Sequence, residues 1–184
     1  VATIEKSSDG VRRMVIVDMP ERGPEMPATN VDAFVQRTRH FVFLRHPDPA
    51  TAKQMGEAAA ATIGNVTEFD LNFRTDRVLE LKGQPLADKK IHTYCAGLLL
   101  LCAQETSAPR SEFFPIEEFA AGGNTVPNLA KLGLSFGANF ISPTGALFSP
   151  KMEIVGQRPA MYSPRRDIAD EIYDHFAAQL IDGT

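Results

Sequence analysis

The chain has 184 residues, 43% of them apolar, and a net charge of −4. That suits a single domain, residues 1–184, with a sizeable core, and the acidic balance gives nucleic acid or an anionic membrane surface little electrostatic hold. No apolar run reaches the length of a bilayer span; Ala96–Ala103 is far too short.

In chain order, Val1–Lys6 alternates in strand fashion and Asp9-Gly10 marks a hairpin turn into a return strand over Val11–Met19, centred on Val15, Ile16 and Val17. Residues 20–30 hold three prolines and a glycine and read as loop. Val31–Gln36 suits one short helical turn, and His40–Arg45 reads as a buried strand. The best-marked early helix starts at Asp48, a capping residue followed by Pro49 at the first helical position, and ends at Gly64. Its apolar face carries Ala52, Met55, Ala59 and Ile63. Glu68–Phe73 reads as a mixed loop or short extended piece, Arg77–Leu81 as a short strand, and Gly83–Lys90 as loop.

A short polar turn over residues 91–94 then runs into an all-apolar helix that stops before Pro109. With Thr93 as cap, Cys95 falls in the first helical turn, where free backbone N–H groups and the helix dipole favour a thiolate. Cys102 lies two turns further in and reads as core. On one helix the two Cα atoms stand roughly 10.5 Å apart at 1.5 Å rise per residue, beyond disulfide reach. No Cys/His spacing fits a zinc site, and no metal or organic cofactor is expected. Ile116–Ala120 suits one helical turn. Residues 121–150 read as ordered loops, because Leu129, Leu132, Leu134, Phe136, Phe140 and Leu147 call for burial. Met152–Val155 suits a last strand, and Ser163-Pro164 opens a final helix with Ile168, Ile172, Tyr173, Phe176 and Leu180 on one stripe. The order is that of an α+β chain with helices packed on an antiparallel sheet.

Several stretches resemble, in order, the circularly permuted papain-like hydrolases, the YiiX-type relatives of the NlpC-type cell-wall peptidases. They are Val1–Ile4, Met14–Asp18, Phe41–Arg45, Phe69–Phe73 and Tyr94-Cys95-Ala96-Gly97-Leu98, with Ser142-Pro143 and Ser149-Pro150 resembling the closing region. The resemblance covers roughly residues 1–155. It implies a permuted papain-like fold with an antiparallel sheet packed against a nucleophile-bearing helix. In that fold Cys95 is the nucleophile, Asp18 orients the catalytic imidazole, and Tyr94 lines the substrate groove or packs beside it. The implied substrate is a small peptide, a cell-wall fragment or an acyl compound, and an extracytoplasmic or periplasmic location is slightly favoured.

The departures are specific. The family's Ser-Glu after the cysteine is Ala96-Gly97, its Tyr-Asp-x-x-Phe begins with Phe69, and its catalytic histidine would precede Val1. Val1 is not a Met, so the chain is expected to be a fragment or a processed product. His92 sits too close to Cys95 in sequence for the family's base and reads as exposed filler. His40 and His46 flank a strand and replace the base only if that strand lies beside the helix mouth. His175, Arg12-Arg13 and Arg165-Arg166 read as solvated surface. Asp70 and Phe73 are expected to shape the cleft by packing. Two readings stand beside the cysteine hydrolase: a non-catalytic binding module that keeps the fold, and an acyltransferase on the same scaffold.

Overall fold

The computed structural model describes residues 1–6, 10–20, 23–38, 40–108, 113, 117–118, 131, 139–141, 143–147 and 149–158. The expected final helix from Ser163, with His175, lies outside the described residues, as do Leu129, Leu132, Leu134 and Phe136.

The hairpin forms as expected. Strands β1 (Ala2–Lys6) and β2 (Arg12–Val17) pair antiparallel, Ala2 opposite Ile16 and Lys6 opposite Arg12. Gly10 takes φ +82° between them, a conformation that only glycine adopts without strain. The ladder runs one step further: Val17 N–H donates to the Val1 carbonyl at 2.8 Å, and the Val1 nitrogen to the Val17 carbonyl at 2.5 Å. The 20–30 segment is not all loop. Its end forms β3 (Ala28–Asn30), which pairs antiparallel with β2, and Asn30 caps α1 (Val31–Arg37) through the Asp32 N–H.

Helix α2 (Pro49–Ala60) is capped as its sequence predicts, Asp48 accepting from Thr51 N–H at 2.9 Å. It buries Thr51, Met55, Ala58 and Ala59. It sits close on β1 because Gly56 has no side chain: its carbonyl accepts from Thr3 Oγ1 at 2.5 Å, where a Cβ would stand 3.3 Å from that oxygen.

Strand β4 (Phe41–Arg45) is not buried. Among the described residues it pairs only with β9 (Glu153–Arg158), and none of its residues is fully covered. Phe41 and Phe43 pack against Phe34 of α1, each 6.2 Å away between ring centroids. Arg158 closes this corner by donating to the carbonyls of Val35 and Thr38 at the C-terminal end of α1, a favourable place for a cation.

The short extended piece expected within Glu68–Phe73 forms as strand β5 (Thr67–Phe69); the segment read as a polar turn is instead strand β6 (Ile91–Thr93), and the two pair parallel. Arg77–Leu81, read as a strand, falls largely in helix α3 (Thr75–Leu79). There Val78 is buried and Leu81 partly so, a spacing of three that suits a helix face, which five residues are too few to declare. Glu117–Glu118, inside the expected helical turn, is strand β7, paired with β8 (Asn139–Phe140). A short helix α5 (Pro143–Leu147) also interrupts the expected loop, and Leu147 is 40% exposed rather than buried.

Helix α4 (Cys95–Gln104) is the centre of the core. Ala96, Leu98, Leu100, Leu101, Cys102 and Ala103 are buried among Val17, Met26, Ala59, Val78, Ile91, Phe113 and Ile141. Each fully buried leucine contributes about 1.5–3 kcal/mol. The observed class is α+β with antiparallel sheets and one parallel pair. Among the described residues no helix is long and apolar enough to cross a membrane.

Candidate functional site

The site lies where α4 leaves β6. The pairing of β6 with β5 carries the strand through Thr93, so the helix starts one residue later than a Thr93 cap would give. Tyr94 is the N-cap, with extended backbone and no side-chain capping bond, and Cys95 is the first helical residue. Thr93 is buried beneath this junction. Gly97 makes the packing feasible: a Cβ there would fall 2.4 Å from Thr93 Oγ1 and 3.0 Å from the Tyr94 ring. A side chain at this position is therefore excluded unless these neighbours move.

Cys95 is exposed and Cys102 buried. Both line up on one face of α4, with Leu99 between them. Cys95 opens onto a cavity of about 780 Å³, whose walls come from β1, β2, α1, β4, α2, α4, α5 and β9. Most of its lining is apolar; Asp18, Arg45, His46 and Cys95 are the polar or reactive side chains. Asp18 follows the end of β2, and its Oδ1 accepts from Met19 N–H at 2.8 Å. The structure thus brings Cys95 and Asp18, far apart in sequence, to one cavity. The surroundings of the thiol favour its protonated form. Burial by the surrounding walls, and next the Asp18 carboxylate, push its pKa up, against a smaller lowering by its own backbone N–H.

Tyr94 is placed differently from a groove residue. It is 2% exposed and does not line the cavity; its hydroxyl accepts from Ile141 N–H at 3.0 Å. Phe73 meets its ring edge-on at 5.3 Å, and Asp70 N–H donates to the Thr93 carbonyl at 2.8 Å. The Phe69–Phe73 segment therefore braces the strand that delivers Cys95. Asp70 is itself buried: Oδ1 accepts from Asn72 N–H, while Oδ2 has no hydrogen-bond partner among the described residues.

Of the histidines, His92 pairs with Glu68 at 3.1 Å on the β5–β6 surface, and Glu68 also pairs with Lys90. His46 is the histidine in the cavity wall, a placement that sequence reasoning gave little weight. Its Nδ1 accepts from Asp48 N–H at 3.1 Å and its ring lies 5.0 Å from Phe113. The His46-Pro47-Asp48 turn was the available signal for this placement. Among the described residues no three His, Cys, Asp or Glu side chains gather to hold a metal ion.

No family model matches the chain. No curated protein matches it either. Among solved structures it is similar to the crystal structure of metalloprotein YiiX from Escherichia coli O157:H7, a DUF1105 protein. The TM-score is 0.51 at 12% identity, over 85% of this chain and 93% of that one. The fold is YiiX-like.

Proposed function

We propose that the protein is a cysteine hydrolase of the permuted papain-like type, acting on an amide or acyl bond through a thioacyl intermediate on Cys95. The observation that carries this reading is the placement of Cys95 at the exposed start of a buried helix, with Asp18 in the same cavity wall. The β1–β2 register adds support. Val1 faces Val17, so in a longer chain the preceding position continues the ladder opposite Asp18. A histidine there stands cross-strand from the carboxylate, on its side of the sheet, as the third member of a triad requires.

In this mechanism the imidazole takes the Cys95 proton and Sγ attacks the carbonyl carbon. The S–C bond forms, and the bond to the leaving oxygen or nitrogen breaks as that atom takes the proton from the imidazolium. Water then adds, its proton passes to the imidazole, the S–C bond breaks and the thiol is restored. The backbone N–H of Cys95, at the helix start, is one donor for the oxyanion. Tyr94, Phe73 and Asp70 position the helix start without touching substrate. The YiiX structure is that of a metalloprotein, but the donor set beside Cys95 does not fit a metal centre, and no step is routed through one.

The test is mass spectrometry of the chain, with histidine and with alanine placed before Val1, after mixing with an activated acyl ester. Acylation confined to Cys95, faster with histidine and absent in Cys95→Ser, is expected. Ester turnover that survives Cys95→Ser would sink the reading. A second reading, a binding module that keeps the fold, is favoured by the raised thiol pKa; ligand binding with no acylation in either chain would establish it. Transfer to an added amine or alcohol in preference to water would mark an acyltransferase.

A further inference from the structure

We infer that the second edge of β4 takes up an extended peptide as an added strand, with an apolar side chain in the cavity beside Cys95 and an acidic residue against Arg45. This rests on the thioacyl chemistry proposed above and adds the substrate class to it, a peptide in strand conformation. The first argument is how the two sheets meet the cavity. β2 contributes Met14 and Ile16, with Asp18 just beyond its end: every second residue, which is one face of a strand. β4 contributes Val42, Phe43, Leu44 and Arg45 without a gap. Successive side chains of a strand point to opposite faces, so a row of four meets one space along the strand's edge. The second argument is what that edge offers. One edge of β4 is paired with β9, and no backbone hydrogen bond joins the other to any described residue. Alternate N–H and C=O groups of this five-residue strand, about 17 Å long at roughly 3.4 Å per residue, therefore stand free beside the cavity. Peptide amides lose their water on entering an apolar space, and a strand edge replaces it bond for bond. The walls beyond the edge, Met14, Ile16, Leu98 and Leu99, are apolar and receive alternate side chains of the added strand. The third argument is charge. Arg45 ends β4, is exposed, and holds no ion pair among the described residues; the ladder puts Glu153 opposite, but no ion pair joins the two. Its guanidinium is therefore a cation in the lining with its charge uncompensated by a neighbour, and it complements a carboxylate on the peptide.

The probe is a capped peptide, acetyl-Thr-Val-Thr-Val-Glu amide, added to the Cys95→Ser chain so that no chemistry intervenes. Amide hydrogen exchange, read by NMR, reports on the edge. Alternate amides of Phe41–Arg45 are expected to exchange fast in the free chain and about tenfold or more slowly with the peptide bound. N-methylation of alternate probe residues on the pairing side is expected to weaken binding about tenfold or more, while methylation of the other set leaves it within about twofold. Glutamine in place of the probe's glutamate is expected to weaken binding about twofold to fivefold, and Arg45→Gln, a change at an exposed position, to erase that difference. A glutamate preference that survives Arg45→Gln overturns the charge contact. Methylated probes that all bind alike, or β4 amides already protected in the free chain at every dilution, overturn the strand site. Protection that grows with chain concentration and needs no probe puts a second copy on the edge and overturns the peptide as its occupant. A last arm separates the site from the chemistry: the probe as a C-terminal thiophenyl ester is mixed with the chain that carries histidine before Val1. Acylation of Cys95 that ignores N-methylation overturns the strand site and leaves the cysteine chemistry standing. Protection of β4 with no acylation supports the strand site and overturns the hydrolase.

Discussion

Cys95 and Cys102 occupy the same face of one helix, seven residues apart, and meet opposite surroundings. Cys95 is exposed at the first position of α4, in the wall of a cavity; Cys102 is sealed in the core, its pKa pushed up to about 12 by burial. The difference teaches that a helix end alone does not make a nucleophile. Even at the mouth, desolvation and the Asp18 carboxylate raise the Cys95 thiol. What distinguishes the two positions is access to a cavity.

The contrast breaks most sharply under a thiol-directed electrophile. Labelling is expected to fall by orders of magnitude in Cys95→Ser and to persist in Cys102→Ala, read by peptide mass spectrometry. Cys102→Ala instead costs about 1–3 kcal/mol in urea unfolding. It also changes the alkaline limb of stability. In the fold the Cys102 proton is held to about pH 12, against 9.0 ordinarily, so the unfolded chain loses its proton first. Stability present below pH 9 is then lost as pH rises toward 12, by about 1.4 kcal/mol per unit. The variant is expected to lack that component.

Next in size is Gly97→Ala, which forces a Cβ against Thr93 and Tyr94. A cost of about 1–3 kcal/mol is expected, with the Cys95 labelling rate altered as the helix start shifts. Tyr94→Phe leaves the Ile141 N–H without its acceptor and is expected to cost about 1–2 kcal/mol by thermal melting. The smallest effect is also the most diagnostic. In this chain Asp18→Asn removes a charge that opposes the thiolate, so the pH profile of Cys95 labelling shifts down. With histidine before Val1 the same change is expected to slow turnover, since the imidazolium loses its orienting carboxylate. An unchanged sign between the two chains would remove Asp18 from the triad.

Much of this was legible in the sequence wherever a residue's local chemistry settles its conformation. The Asp48-Pro49 helix start, the Gly10 turn and the depth of Cys102 needed no partner to be read. What could not be read depended on partners distant in the chain. The polar look of Ile91–Thr93 hid a strand, because its parallel mate Thr67–Phe69 lies more than twenty residues earlier. That pairing displaced the cap from Thr93 to Tyr94. Tyr94 beside a nucleophile suggested a groove residue, but its hydroxyl is taken by Ile141. His46 reached the cavity wall because β4 pairs with β9, more than a hundred residues on.

The close approach of α4 to Thr93 has an evolutionary consequence. Position 97 and the pair Thr93-Tyr94 cannot vary independently: a side chain at 97 becomes tolerable only after the residues beneath it shrink or turn away. A lineage carrying this glycine accepts a larger residue at 97 only by passing through a change at 93 or 94 first. Substitutions at these sites are therefore expected to be epistatic, with their order deciding which intermediates fold.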